Sequence, residues 1–280
     1  MNDSITGGLG DNSRSSEGLN LQLYIYRTTF DRAFTCVTFT VALFGFVGNL
    51  ATMGKIVRDP KYHTPTFAAI GLLALADFLS VTFSSFIWLT NLSKLWRFFG
   101  GITRISVLSS YSHVCLLSAV RYLITVHPLQ SRQYLTVTAV CLCSLTIWIS
   151  SGIFGSLSLA MLQTIDDGFI LQLIINIIIP LLVCSIILTL HVKKIRTLRR
   201  SMSVTDQAER RMNIVVTVIN SIFVFYHLSI IVNNTIALTP ANELSLDLGY
   251  IYLYNLYFLI FMGCVNFSCN PYILFLSQFF

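Results

Sequence analysis

Charge is scarce in this sequence. Aspartate, glutamate, lysine and arginine make up 11% of its 280 residues, whereas a soluble domain carries about 25%. Without a polar shell, a chain that is 55% hydrophobic is expected to face lipid rather than water. Acids are scarcer than bases, and the net charge is +6. The bases lie in short loops, where they orient a membrane protein; a nucleic-acid partner is not expected. Cysteine is missing from the loops. All seven cysteines (Cys36, Cys115, Cys141, Cys143, Cys184, Cys264 and Cys269) fall within apolar stretches. That leaves no extracellular disulfide to draw and favours buried structural thiols. No zinc motif, nucleophile elbow or pair of catalytic carboxylates occurs, so an enzyme is not expected. The polar residues Met1 to Asn20 contain no apolar core ahead of a cleavage site. The first apolar stretch is therefore expected to act as its own insertion signal, with a disordered tail before it. No internal repeat or inverted symmetry is visible, which weighs against a transporter, the rival membrane class.

What the chain does have is seven long apolar stretches. They run over Ala33–Ile56, Thr66–Leu89, Gly101–Val126, Leu135–Ala160, Phe169–Val192, Met212–Leu238 and Leu248–Leu276. A bilayer's hydrocarbon core needs about 20 apolar residues per helix, because each backbone polar group must be paired within the segment. The pattern predicts an all-α membrane protein, a bundle of seven transmembrane helices. Residues 1–32 form its N-terminal tail and residues 33–280 the bundle. The loops are short, which suits antiparallel neighbours.

Lysine and arginine set the orientation. Twelve of the eighteen fall on one side: Lys55, Arg58, Lys61, Arg121, Arg132, Lys193, Lys194, Arg196, Arg199, Arg200, Arg210 and Arg211. That side is expected to be cytoplasmic, with the N-terminus outside. Asn2-Asp3-Ser4 and Asn91-Leu92-Ser93 are then glycosylation sequons on the outer side, and Asn2 is the candidate acceptor.

Two constellations stand out. Asp77, in Leu73-Ala74-Leu75-Ala76-Asp77, is the one acid deep within an apolar stretch. An intramembrane carboxylate is a functional candidate by default. Its candidate partners are Asn49, Ser110, Asn266 and Asn270. The last two, four residues apart, share a helix face. Such a group either holds a small cation, with sodium the natural choice, or ties helices together through a neutral hydrogen-bonded acid. Asn270-Pro271 breaks the seventh stretch near its inner end and forms a hinge. The second constellation pairs Arg121, at the inner end of the third stretch, with Glu209, at the start of the sixth. A salt bridge there would lock the inner ends together, and breaking it would open a cavity. The alternative is a solvated acid favoured by the helix dipole.

Taken in order, these residues resemble the rhodopsin-like (class A) G-protein-coupled receptors. Gly48-Asn49, Leu73 to Asp77, Ser110, Arg121-Tyr122 with Pro128-Leu129, Trp148, Pro180 and Asn270-Pro271 match that family's markers, in order, on six of the seven spans. The resemblance implies an extracellular ligand and a heterotrimeric G protein as partners. It makes Arg121, Tyr122, Pro128, Leu129, Glu209, Asn270 and Pro271 coupling residues. It makes Asp77, Ser110, Asn266 and Asn270 a possible sodium site, with no other cofactor. It places the ligand among the outer halves of the spans, where Trp88, Thr103, Arg104, Gln172, Asn176, His227, Asn234 and Tyr257 are the candidates. Thr103 stands where amine receptors carry an aspartate, which disfavours an amine. Cys264 stands in place of the opsin lysine, which disfavours retinal. A peptide or chemosensory ligand is expected. Arg104 either meets an anionic ligand group, pairs with Asp166 or Asp167, or snorkels outward. The basic run Lys193 to Arg200 serves topology, lipid headgroups and partner contact alike.

The departures from the family pattern are specific. Val120 replaces the acid before the arginine, His227 the span-six tryptophan and Ser229 its proline. Leu188 and Leu274 replace activation tyrosines, and Trp96 replaces the disulfide cysteine of span three. These raise the alternative of a receptor-like protein that does not couple.

Overall fold

The computed structural model describes the backbone of residues 9–90, 96–164, 168–200, 207–238 and 246–276. Side chains are described from residue 29 to residue 272, apart from 86–98, 162–169, 172, 198–210, 212, 239–250 and 253. Asn2, Asp166 and Asp167, and the side chains of Trp88, Gln172, Glu209 and Leu274, lie outside the described residues.

Among the described residues there are eight α-helices: α1 (Leu9–Arg58), α2 (Pro65–Thr90), α3 (Trp96–Val126), α4 (Pro128–Tyr134), α5 (Val137–Thr164), α6 (Gly168–Arg200), α7 (Gln207–Ala237) and α8 (Leu246–Leu276). Helix α1 begins at Leu9, inside the stretch expected to be disordered. No proline precedes Pro60, so nothing interrupts the backbone ladder once a turn has formed. Asp59 and Pro60 end it, and Asp59 caps a single 3-10 turn over Pro60–Tyr62. Proline also opens α2 and α4, where its fixed φ and missing donor cost nothing.

The chain divides into two compact units, Met1–Thr40 and Val41–Phe280. In the first, Thr35 and Thr40 hydroxyls donate to carbonyls one turn back, Asp31 O at 2.7 Å and Cys36 O at 2.8 Å. In the second, α3 is central and packs against α2, α5, α6 and α7.

This unit carries its polar groups inside and its apolar groups outside. Asn49, Asp77, Ser110, His113, Asn220 and His227 are buried, while Leu50, Leu145, Ile153, Leu182 and Val232 are about half exposed. A water-soluble fold arranges them the other way round; apolar outer faces this extensive belong in lipid. Many intramembrane hydroxyls are satisfied within their own helices: Thr52 donates to Gly48 O at 2.9 Å, Ser80 to Ala76 O at 2.8 Å and Thr217 to Asn213 O at 2.7 Å. Among the described residues six helices are long and apolar enough to cross a membrane: the apolar parts of α1, α2, α3, α5, α6 and α7. Helix α8 is 31 residues long and carries a single charge, Asp247. The fold is an all-α bundle of membrane-spanning helices.

Candidate functional site

The hinge in α8 comes first, because the sequence dictates a defect there. Pro271 has no N–H, so the carbonyl four residues back, Phe267 O, loses its helical donor. Asn49 of α1 replaces it: its Nδ2 donates to Phe267 O at 2.8 Å. Asn49 is therefore a brace for the proline break, not a ligand of Asp77 as its expected role had it. Tyr272 adds a second tie, its hydroxyl donating to Phe44 O at 2.8 Å. Glycine lets α1 come this close. A Cβ on Gly45 would fall 2.7 Å from Ser268 Cβ, and one on Gly48 3.0 Å from the Tyr272 ring.

One turn further in lies the carboxylate. Asp77 is fully buried. Ser110 of α3 donates to its Oδ1 at 2.5 Å, and Asn270 of α8 donates to its Oδ2 at 2.6 Å. Two of the expected partners thus converge on it and join α2, α3 and α8 at the hinge residue itself. Asn266 is buried but makes no hydrogen bond to Asp77. The carboxylate and the hydroxyl offer hard oxygen donors, the kind that suits a hard cation, while Asn270 turns its amide nitrogen rather than its oxygen toward Asp77.

A layer of rings lies outward of this node. His227 stacks on Phe223 with centroids 3.9 Å apart, and the Tyr111 ring meets it edge-on at 4.2 Å. Its Nδ1 lies 2.8 Å from Phe223 O. A carbonyl only accepts, so Nδ1 carries the proton and Nε2 is left as an acceptor. Nε2 is buried with no hydrogen-bond partner, as is Thr103 Oγ1. Unpaired buried polar atoms are costly. Of the other pocket candidates, Asn234 is buried and Asn176 and Tyr257 are half-buried. Arg104 turns to α5, where it donates to Ser158 Oγ at 2.7 Å.

At the inner end Arg121 is buried, only 6% exposed. Its Nη2 donates to Asn213 Oδ1 of α7 at 3.1 Å. Asn213 lies four residues after Glu209, one turn along the same helix. Higher up, Ser118 donates to Asn220 Oδ1 at 3.0 Å. Lys194 of α6 is buried close enough to repel Arg121. Helix α4 presents Leu129, 82% exposed, and the Tyr122 ring packs edge-on against His127 at 5.9 Å.

Sequence reasoning missed Asn213 and Asn220. A signal was present: Asn213, Asn220, His227 and Asn234 recur every seven residues along α7, and all four are buried. It also missed His113, whose Nδ1 lies 2.7 Å from Ser109 O and whose Nε2 lies 2.8 Å from Ser144 Oγ, tying α3 to α5.

The geometry describes a membrane bundle with a buried polar spine, a proline hinge and a buried arginine at one end, which is the layout of a seven-helix receptor. The chain belongs to the rhodopsin family of seven-transmembrane receptors, whose model matches residues 48–274. That family makes α8 the seventh span and identifies a receptor rather than an enzyme. The human trace amine-associated receptor 9 is 30% identical over 127 residues, 41% of this chain and 36% of that receptor. The rat somatostatin receptor type 4 is 28% identical over 123 residues, 41% of this chain and 32% of the receptor. The chain thus aligns with about a third of the length of these two relatives. The mouse somatostatin receptor type 2 is 24% identical over 275 residues, 86% of this chain and 73% of the receptor.

Proposed function

We propose that this protein couples an extracellular ligand to a heterotrimeric G protein at the plasma membrane, with its N-terminus outside. The observation that carries the reading is the tie between Arg121 on α3 and Asn213 on α7, made by a buried arginine that has no lipid-facing role. A ligand that prefers a state with the inner ends of α3 and α7 apart shifts the bundle by its difference in affinity for the two states. Arg121, Tyr122 and the Pro128-Leu129 start of α4, with Leu129 projecting from it, then receive the G protein. Glu209 adds an acid one turn below Asn213, and Asn270-Pro271 absorbs the bend.

The ligand is read as a peptide or chemosensory molecule. The described pocket candidates are neutral apart from Arg104, which is engaged by Ser158. Thr103, His227 and Asn234 supply hydrogen-bonding groups without a fixed charge, which suits amides and hydroxyls better than an ammonium. Somatostatin receptors among the relatives agree with a peptide, whereas the trace amine-associated receptors are named for amines, the class that Thr103 disfavours. Sodium is assigned to Asp77, Ser110 and Asn270, with Asn266 one turn away. A second reading, a seven-helix protein that does not couple, is favoured by Leu188, which replaces an activation tyrosine and is 48% exposed on the outer face.

The test expresses the chain with a panel of G-protein dissociation sensors beside Arg121→Ala and Glu209→Ala. Coupling predicts loss of signal for the first and raised basal signal for the second. Well-expressed protein with no signal from any sensor in any variant gives the second reading.

A further inference from the structure

We propose that the inner end of α1 is a binding site for an acidic phospholipid. The phosphate sits against Lys55 and Arg58, and an acyl chain lies along Val47, Leu50, Ala51 and Gly54. The proposal rests on the orientation proposed above for the leaflet it names, the cytoplasmic one, but not on G-protein coupling.

The groove is built by one helix face. Residues 47, 50, 51, 54 and 58 follow the three-and-four spacing that puts side chains in one stripe. They line a shallow groove, open along its outer side, together with Lys55 and Asp59. Val47 and Leu50 are 55% and 51% exposed, and Gly54 leaves its part of the face open, since a Cβ there would meet nothing within 4 Å. The stripe from Val47 to Arg58 is about 17 Å long at 1.5 Å per residue. One leaflet's hydrocarbon is about 15 Å deep. An apolar groove as long as a leaflet is deep, with its cations at one end, fits a lipid; a free phosphate would use only the end.

Local charge decides the headgroup. Among the described residues, Lys55, Arg58 and Lys61 lie near one acid, Asp59. Both Asp59 oxygens are engaged by Lys61: Oδ2 lies 3.0 Å from its Nζ, and Oδ1 accepts from its backbone N at 3.1 Å. The hydrogen bond from the Lys61 side chain holds the Asp59 carboxyl below the usual carboxylate range, so it stays ionised and committed to Lys61 at neutral pH. Arg58 makes no ion pair or hydrogen bond among the described residues. Lys55 Nζ lies 5.4 Å from the centroid of the Tyr62 ring, which holds it beside the groove. The cluster keeps a net charge of +2 at the depth where an anionic headgroup lies.

The experiment reconstitutes the full chain in phosphatidylcholine vesicles containing trace photoactivatable phosphatidylserine or phosphatidylcholine. Cross-links are mapped by peptide mass spectrometry. Phosphatidylserine is expected to label residues 47–58 well above phosphatidylcholine. Arg58→Gln is expected to cut that labelling about fivefold, the effect of one basic charge near an anionic surface, while Arg58→Lys retains it. Gly54→Leu fills the groove and is expected to reduce labelling without loss of thermal stability, because its side chain enters open space. Equal labelling by the two lipids, or labelling unchanged in both Arg58→Gln and Gly54→Leu, overturns the proposal. No G protein is present, so a failure of the coupling reading leaves this result unaffected.

Discussion

The link between Ser118 and Asn220 provides the sharpest prediction, because one substitution removes one bond. Replacing Asn220 by leucine keeps the volume nearly constant, so the packing term is small. It removes the acceptor that Ser118 meets at 3.0 Å. The abandoned hydroxyl is not orphaned: it turns back to Val114 O, as Ser106 does to Ile102 O at 2.9 Å. The loss is therefore the net worth of an interhelical hydrogen bond in a membrane, about 1 kcal/mol within a range of about 0.6 to 1.7. At about 1.4 kcal/mol per factor of ten, the closed state loses about fivefold against the open one. Basal nucleotide exchange should rise about fivefold at equal surface expression. Asn213→Leu breaks the Arg121 tie, about 10 Å further along α7, and the two effects should multiply. Spin-label distances between the inner ends of α3 and α7 supply a readout that needs no G protein. If Asn220→Leu changes neither the basal rate nor the distance distribution, the bond does not hold the closed state and the reasoning fails.

Three further outcomes follow from the hinge and the node. Asn49→Leu leaves Phe267 O without a donor at the proline break and should cost about 1–3 kcal/mol, read as a lower melting temperature in detergent. Gly45→Val drives a side chain into Ser268 and should sharply reduce folded protein at the surface, whereas Gly54→Ala, in open space, should be neutral or slightly stabilising. If sodium binds at Asp77, melting temperature should rise with sodium chloride and not with choline chloride, and Asp77→Asn should abolish the difference; equal responses in the unsubstituted protein dismiss the ion.

Most of the bundle was legible because lipid imposes a crude rule. Long apolar stretches cannot be anything but helices when the backbone has no water to bond, and the markers Asn49, Asp77, Arg121 and Pro271 fall at recognisable spacings. Ser110 and Asn270 were readable as partners of Asp77 for the same reason. Asn49 was not, because its acceptor is a backbone carbonyl released by a proline 222 residues away in sequence, and no residue type marks such a carbonyl. Arg104 had three readings, and the structure adds a partner that was none of them, because Ser158 has no charge to advertise it. The start of α1 at Leu9 was missed because low hydrophobicity signals disorder even where no residue breaks a helix.

The seven-residue polar stripe of α7 explains why that helix can act as a lever. A straight α-helix drifts about 20° per heptad, so the face that Asn213 presents has turned by about 60° at Asn234. The inner members meet α3: Asn213 takes Arg121, Asn220 takes Ser118, and His227 meets Tyr111. At the outer end Asn233, the neighbour of the stripe's Asn234, accepts a hydrogen bond from Asn255 of α8 at 3.4 Å. No proline interrupts α7, and Ser229, in the place of the family's proline, bonds back to Phe225 O at 3.1 Å. A rotation of α7 small enough to keep its outer contact with α8 therefore still moves both inner amides away from α3. The carbonyl oxygens of the Asn213 and Asn220 amides are both paired with α3 in one arrangement of the helix, and a single turn about its axis unpairs them together.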